Sequence, residues 1–143
     1  MKKKYLIVVA DYYKDIAKGL LDSALKLIPK SNEIKIIRVP GVFEIPVTIS
    51  KNIKKYDAFL ALGCVIKGQT PHFDFISQAS TNAIMDLSVL NKKPIGNGII
   101  TCLNMKQAKA RKKKGAEAAD AVNSVLSQKW KLILIQRIIQ ELL

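Results

Sequence analysis

The sequence predicts an α/β fold built on a four-stranded parallel sheet. Short runs rich in Val, Ile and Leu alternate with amphipathic segments of helix length, which is the pattern of right-handed βαβ units. The first of these runs, residues 5–10, is apolar throughout, as expected for a strand that helices cover on both faces. The chain has 143 residues, the size of one ordinary domain, so a second independent core is not expected.

The first half of the chain supplies two strands and two helices. After the strand at residues 5–10, apolar side chains recur at helical spacing over residues 16–28, and Pro29 closes this helix. The second strand covers residues 33–39, and a Pro-Gly pair ends it. A helical pattern then returns over residues 43–55.

The second half repeats the alternation. The third strand covers residues 58–65, a polar loop follows, and a long helix is predicted over residues 73–90. The fourth strand covers residues 94–101. Asn104 is a suitable N-cap for a basic helix, which Gly115 is expected to break before an alanine-rich helix begins.

The chain is strongly basic, with 24 Lys and Arg against 11 Asp and Glu, a formal net charge of +13. Such a charge is typical of proteins that bind polyanions. The lysines, however, are scattered in short runs, and aromatic residues make up only 6% of the chain. Nucleic-acid readers usually combine a basic stripe with exposed aromatic side chains. We therefore interpret the charge as compositional bias and expect no nucleic-acid partner.

The two cysteines, Cys64 and Cys102, lack the spacing of a metal site or a redox motif. They are expected to be buried, reduced thiols, which favours a cytoplasmic location. The apolar run after the N-terminal lysines is too short for a signal peptide, and no apolar stretch reaches the roughly 20 residues that cross a bilayer. No membrane partner and no metal site are expected.

In an open parallel sheet, ligands bind beyond the carboxyl ends of the strands. The segment after the third strand contains His72, the only histidine of the chain. Imidazole has an ordinary pKa of about 6.5 and transfers protons in either direction near neutrality. His72 is therefore a candidate general acid and base, although a histidine here can also cap the next helix or pair with Asp74.

The same segment carries a candidate phosphate site. Gln69 and Thr70 follow Gly68 directly before a predicted helix, where free backbone N–H groups bind phosphate. Arg111 can add a bidentate cation, or it can belong to a solvated basic helix face. The sequence around Asn97, Gly-Asn-Gly, is faintly similar to a dinucleotide fingerprint but lies inside a strand, so that interpretation is rejected.

Four motifs together resemble the lumazine synthase family. They are VPGVFEIP from Val39, ALGCVIKGQTPHFDF from Ala61, PIGNGIIT from Pro94 and NMKQAKAR from Asn104. They follow in order over four strands, and the resemblance covers residues 1–127. It implies a three-layer αβα sandwich, flavodoxin-like, with strand order 2-1-3-4.

The resemblance implies a cofactor-free condensation, the penultimate step of riboflavin biosynthesis. The two small-molecule substrates are 5-amino-6-(D-ribitylamino)uracil and 3,4-dihydroxy-2-butanone 4-phosphate, and the products are 6,7-dimethyl-8-ribityllumazine, phosphate and water. It also implies a homopentamer with active sites between adjacent subunits. The turn that is common in sixty-subunit relatives is missing after Arg111, so an isolated pentamer is expected.

The resemblance implies roles for twelve residues. His72 occupies the acid/base position. The positions that contact the pyrimidine and its ribityl chain are Tyr12, Val42, Phe43, Glu44, Cys64, Val65, Ile66 and Asn97. The positions of the phosphate site are Gln69, Thr70 and Arg111. Tyr12 stacks on the pyrimidine in this interpretation, and the alternative for it is plain packing. Many relatives carry Phe, contributed by a neighbouring subunit, at the position of Asn97.

The chain departs from the family in places. Asp11 stands where Arg is common, and Gln69 where an acidic residue or Ala is common. Residues 128–143 form an amphipathic extension outside the family pattern. Packing on its own or a neighbouring subunit is favoured for this extension over a membrane or partner contact. The competing function class is a basic binding module that holds a phosphorylated ligand or RNA without chemistry.

Overall fold

A computed structural model describes residues 2–128 and 130–143. In chain order its elements are β1 (Lys4–Ala10), α1 (Lys14–Leu27), β2 (Glu33–Val39), a short 3-10 helix (Val42–Glu44), α2 (Ile45–Asn52), β3 (Ala58–Ile66), α3 (His72–Asn91), β4 (Ile95–Cys102), α4 (Met105–Ala110), α5 (Lys114–Leu126) and α6 (Trp130–Leu142). All four predicted strands are present. Asn104 caps α4 as predicted, because its side-chain oxygen accepts from the backbone N–H of Gln107 at 2.9 Å.

The four strands form one parallel sheet in the order β2-β1-β3-β4. The central strand β1 is buried on both faces, because Ile7 and Val9 pack with α1 and α5 while Leu6 and Val8 pack with α2 and α3. The three-layer architecture and the strand order that the family resemblance implies are therefore confirmed. Since β4 is an edge strand, its outer side is open in the single chain.

The predicted helix over residues 43–55 is shorter than expected. A 3-10 turn occupies Val42–Glu44, and the α-helix runs only from Ile45 to Asn52. Pro46 explains the late start, because its ring would collide with the carbonyl group four residues earlier in a continuous α-helix. The 3-10 turn brings Val42, Phe43 and Glu44 to the carboxyl edge of the sheet.

The prediction that Gly115 breaks a helix is wrong. The basic helix α4 already ends at Ala110, and Gly115 lies inside the first turn of α5. Ser23 of α1 stabilises the break between α4 and α5. Its hydroxyl donates to the carbonyl oxygen of Lys112 at 2.8 Å and accepts from the N–H of Ala116 at 3.1 Å. A Cβ at residue 115 would overlap the backbone of α1, so glycine is required here for close helix packing.

None of the helices within the described residues combines the length and the apolar character that a membrane crossing requires. The extension predicted as an amphipathic helix is α6. Five large apolar side chains of this extension are exposed: Ile135, Ile138, Ile139, Leu142 and Leu143.

Candidate active site

A cavity of about 670 Å³ opens at the carboxyl edge of the sheet. We call it the His72 cavity. Its lining residues are Tyr12, Tyr13, Gly41, Val42, Phe43, Glu44, Cys64, Val65, Ile66, His72 and Ile76. They come from the segments that follow β1 and β2, from the end of β3 and from the start of α3. A volume of this size holds a small organic molecule.

The 3-10 turn reaches this cavity because β3 contains a glycine where the turn approaches. A Cβ at Gly63 would come within 2.8 Å of the Val42 side chain and 3.2 Å of the Ala10 side chain. Without that Cβ, Val42 is buried against β3 and the two following residues project at the rim. Phe43 is consequently 68% exposed, and Glu44 is partly exposed.

Aromatic side chains from two segments of the chain line the cavity. Tyr12 is 75% exposed, and its ring meets that of Tyr13 edge-on, with centroids 4.9 Å apart and planes at 82°. In the single chain the Tyr12 ring is therefore not packed into the core. Together with Phe43 it offers exposed ring faces on which a planar heterocycle can stack.

His72 is the first residue of α3 and is exposed to the cavity. Two alternative roles were considered for His72, capping the helix and pairing with Asp74. Pro71, not His72, occupies the N-cap position of α3. Among the side chains that the structure describes, His72 and Asp74 form no ion pair. Gln69 and Thr70 lie in the exposed bend just before α3 and are not part of the cavity wall. They are nonetheless within three residues of His72 along the chain.

Cys64 lies in the wall of the cavity and is buried, as is Cys102. Burial, followed by the neighbouring Cys102, raises the pKa of the Cys64 thiol from 9.0 to about 12. A thiol with this pKa is protonated at neutral pH and is a poor nucleophile. Across the described parts of the chain, no cluster of three or more His, Cys, Asp or Glu side chains has the geometry of a metal site.

Two more of the expected site residues, beside Gln69 and Thr70, lie outside the wall of the His72 cavity. Asn97 is on the edge strand β4, where its Oδ1 atom accepts from the backbone N–H of Ile99 at 3.1 Å. Arg111 follows α4 and lines a second cavity of about 470 Å³ along the second half of β4. We call this the Arg111 cavity. Its remaining lining residues are Ile99, Ile100, Thr101, Ala110, Lys113, Lys114 and Glu117.

The cation of Arg111 is exposed. Its Nη1 atom donates to the carbonyl oxygen of Gln107 at 3.2 Å, which holds the guanidinium close to α4. Lys114 lies 3.4 Å from the Glu117 carboxylate in an exposed ion pair. Arg111 and its two neighbouring lysines make this cavity basic, whereas the His72 cavity is mainly aromatic and aliphatic.

Three residues of the His72 cavity were not predicted: Tyr13, Gly41 and Ile76. Tyr13 directly follows the expected stacking residue, and Gly41 directly precedes the expected ribityl segment, so both were within the regions that the sequence indicates. Ile76 lies four residues after His72, and the i,i+4 spacing of a helix places both on the same face. That spacing is the signal by which Ile76 can be found from the sequence.

Comparisons with known proteins point to one family. The family model described as 6,7-dimethyl-8-ribityllumazine synthase matches residues 2–129. A protein of that name from Agrobacterium fabrum is 41% identical over 146 residues, covering 92% of this chain and 99% of that protein. One from Rhodopseudomonas palustris is 42% identical over 142 residues, covering 90% and 87%. One from Cutibacterium acnes is 41% identical over 133 residues, covering 87% and 80%.

Proposed function

The chain belongs to the 6,7-dimethyl-8-ribityllumazine synthase family, and we propose that it is a transferase of riboflavin biosynthesis. It condenses 5-amino-6-(D-ribitylamino)uracil with 3,4-dihydroxy-2-butanone 4-phosphate to 6,7-dimethyl-8-ribityllumazine, phosphate and water. The observation that carries the proposal is the His72 cavity, in which an imidazole, a carboxylate and exposed aromatic rings meet at the carboxyl edge of the sheet.

The reaction consists of proton transfers between bond-forming steps. The free amine of the pyrimidine attacks the ketone, and loss of water gives an imine. A proton then leaves the adjacent carbon and phosphate is expelled. The ribityl-bearing nitrogen attacks the remaining carbonyl carbon, and loss of a second water completes the ring. His72 accepts and donates these protons, because it is the imidazole that lines the cavity and its side chain is exposed to the substrates.

The pyrimidine binds in the His72 cavity. Tyr12 stacks on its ring, and the backbone at Cys64, Val65 and Ile66 pairs with the polar edge of the uracil. Cys64 contributes no nucleophile in this arrangement, since its raised pKa keeps the thiol protonated.

The ribityl chain lies against the 3-10 turn. Phe43 covers its carbon chain, and the Glu44 carboxylate accepts hydrogen bonds from its hydroxyl groups. Val42 is buried beneath the turn and fixes its position against β3.

The phosphate of the second substrate binds between two copies of the chain. Gln69 and Thr70 approach it from the subunit that holds His72, and Arg111 approaches it from a neighbour. Asn97 faces the pyrimidine from the same neighbour. The positions of Asn97 and Arg111 on the β4 side, outside the wall of the His72 cavity, support this division.

The assembly is a homo-oligomer, and we assign it as an isolated ring of five. Large apolar side chains on α3 support an association of copies, because Phe75, Met85 and Val89 are 68%, 61% and 65% exposed in the single chain. Light scattering should give five times the chain mass of 15.9 kDa. A monomer, or a particle in the megadalton range, would contradict the assignment.

The reaction takes place in the cytoplasm. The condensation itself requires no nucleic-acid or membrane partner. Two free, buried cysteines on adjacent strands are consistent with a reducing compartment.

The test of the function is to mix the purified protein with both substrates. The lumazine product is followed by its absorbance and fluorescence, and its formation should scale with protein concentration. A binding module would instead raise the melting temperature in the presence of either ligand without forming product. Product formation no faster than in the protein-free mixture would refute the proposed function.

A further inference from the structure

The end of the sheet opposite the His72 cavity is strongly basic. In a parallel α/β domain all connections from helix to strand lie at the amino ends of the strands. Lys2 precedes β1 and Lys4 begins it, and the other exposed lysines of this end follow or close α1, α2 and α3. We define the lysine face as Lys2, Lys4, Lys26, Lys30, Lys54, Lys55 and Lys92.

Backbone hydrogen bonds hold the connections of this face together. The N–H of Glu33 donates to the carbonyl oxygen of Lys3 at 2.9 Å, and the N–H of Asp57 donates to that of Lys4 at 2.8 Å. The Lys93 ammonium reaches the carbonyl oxygen of Ile53 at 2.7 Å. Glu33 and Asp57 are carboxylates of these connections, and the seven exposed lysines outnumber them.

Helix α6 is attached to the same end of the domain. The carboxyl end of α5 is fixed there, because the Asn123 side chain donates to the carbonyl oxygen of Leu27 and accepts from the Tyr5 hydroxyl. Val125 borders a cavity that Lys92 and Lys93 also line. Helix α5 ends at Leu126, and α6 begins at Trp130.

The described part of α6 carries an apolar stripe that is open to solvent. Ile135, Ile138, Ile139 and Leu142 recur at helical spacing and are 52%, 54%, 51% and 81% exposed, and the terminal Leu143 is fully exposed. Gln136, Arg137, Gln140 and Glu141 separate these residues with polar side chains. A helix of this type lies in the interface of a membrane when basic groups accompany its apolar side.

We propose that the lysine face and the α6 stripe together form a docking surface for an anionic phospholipid membrane. The stripe inserts at the boundary between headgroups and acyl chains, and the lysines bind the lipid phosphates beside it. Each element alone is a weak anchor, but an amphipathic helix combined with a polybasic surface supplies the two signals that stable peripheral binding requires.

Charge argues against a second copy of the chain as the occupant. Two chains joined through α6 and this end of the domain would bring one lysine face against another, at a cost in like-charge repulsion. An anionic bilayer offers the opposite charge over the same area. The docking end is also opposite the His72 cavity, so substrates keep access while the protein is bound.

The test is co-flotation of the full chain with vesicles. Vesicles of phosphatidylglycerol and phosphatidylcholine in equal parts should bind the protein at least about tenfold better than vesicles of phosphatidylcholine alone. Binding should weaken when the salt is raised from about 0.1 M to about 1 M, since the Debye length falls from about 10 Å to about 3 Å. Equal partitioning onto both vesicle types would overturn the proposal.

Two pairs of variants separate the elements of the surface. The variant Ile138→Gln/Ile139→Gln keeps the charge and removes part of the stripe, so it should lose vesicle binding. The variant Lys54→Gln/Lys55→Gln should bind anionic vesicles about tenfold more weakly. Its matched control, Lys106→Gln/Lys109→Gln, makes the same charge change on α4 at the opposite end and should bind like the parent.

The stripe variant also distinguishes the alternative occupants. If Ile138→Gln/Ile139→Gln keeps full vesicle binding, the stripe does not contact lipid and the proposal fails. If vesicle binding is absent from the parent and the variant lowers the mass or the melting temperature, the stripe packs against another copy of the chain. That outcome would also overturn the membrane assignment.

Discussion

The His72 cavity and the Arg111 cavity both lie beside the carboxyl half of the sheet, yet they differ in origin and in chemistry. The first collects side chains from the ends of β1, β2 and β3 and is rich in aromatic and aliphatic groups. The second follows the open edge of β4 and is rich in cations. A site that needs both an acid/base imidazole and a phosphate-binding guanidinium therefore draws on two different surfaces of this fold. Closed symmetric assembly of copies is the ordinary way for proteins to bring such surfaces together.

The largest effect is expected at the centre of the His72 cavity. The variant His72→Ala should fold normally and bind the pyrimidine, yet lose roughly 10²- to 10⁴-fold in kcat, the usual contribution of general acid–base catalysis. We expect the lower end of this range, because holding the two reactants together sustains imine formation without the imidazole. Steady-state kinetics with pyrimidine binding measured in parallel provide the check.

A neighbouring carboxylate supplies the control for this variant. Asp74 is in the same helical turn and makes no ion pair with His72 among the described side chains, so Asp74→Asn should keep kcat within about threefold. A loss of less than threefold in His72→Ala itself would remove His72 from the mechanism.

The second prediction tests whether the two cavities act together across subunits. The variants His72→Ala and Arg111→Ala are each expected to be impaired at low phosphate-substrate concentration. When equal amounts are unfolded and reassembled together, about one interface in four should combine an intact His72 from one chain with an intact Arg111 from the next. Recovery of about a quarter of the parent activity is the expected result.

The control for this mixing experiment is the same mixture without reassembly, which should show only the sum of the two residual activities. If the reassembled mixture also shows no more than that sum, His72 and Arg111 do not meet at an interface. The two cavities would then have to serve separate sites.

The third prediction concerns the Arg111 cavity alone. Arg111→Ala should raise the apparent KM for 3,4-dihydroxy-2-butanone 4-phosphate by about tenfold or more, because a bidentate charge-assisted contact with the phosphate is lost. The KM for the pyrimidine should stay nearly unchanged. Arg111→Lys should recover only part of the loss, since an ammonium cannot reproduce the planar fork.

Lys106→Ala is the matched control for Arg111, since it removes one cation from the same segment without touching either cavity. Its kinetic constants should equal those of the parent. If Arg111→Ala weakens both substrates equally, the substitution disturbs the fold or the assembly, and the phosphate role of Arg111 is wrong.

The two cavities also differ in how far the sequence predicts them. Strand ends are local features, and parallel topology gathers them at one edge, so the residues around His72 were predicted with few omissions. The turn that carries Arg111 depends on Ser23, which is 93 residues away from Ala116 in the chain and bonds to both sides of the break. No local pattern around Gly115 contains that contact, and the helix ends there were predicted wrongly.

The smallest effect on activity is expected at Cys64, although it lies in the wall of the His72 cavity. Its thiol is protonated at neutral pH because burial and the neighbouring Cys102 raise the pKa to about 12. Cys64→Ala should therefore keep kcat within about threefold, the size of effect expected when no catalytic group is removed. Alkylation of Cys64 by iodoacetamide at neutral pH should be slow compared with a free thiol in an unfolded peptide.

The same raised pKa predicts a dependence of stability on pH that is specific to this residue. The unfolded thiol ionises near its ordinary pKa of 9.0, whereas the folded thiol holds its proton up to about pH 12. The stability that the protonated thiol contributes is present below pH 9 and is lost as the pH rises from about 9 to about 12, since the unfolded state releases its proton first. In urea unfolding, the free energy of unfolding should decline less steeply across this pH range for Cys64→Ala than for the parent. The decline that remains in the variant is due in part to Tyr5 and Tyr13, because burial raises the pKa of both side chains. Identical declines in parent and variant, or rapid alkylation with loss of activity at neutral pH, would mean that the thiol is ionisable in the fold and that the end of β3 offers the substrate a nucleophile as well as its backbone.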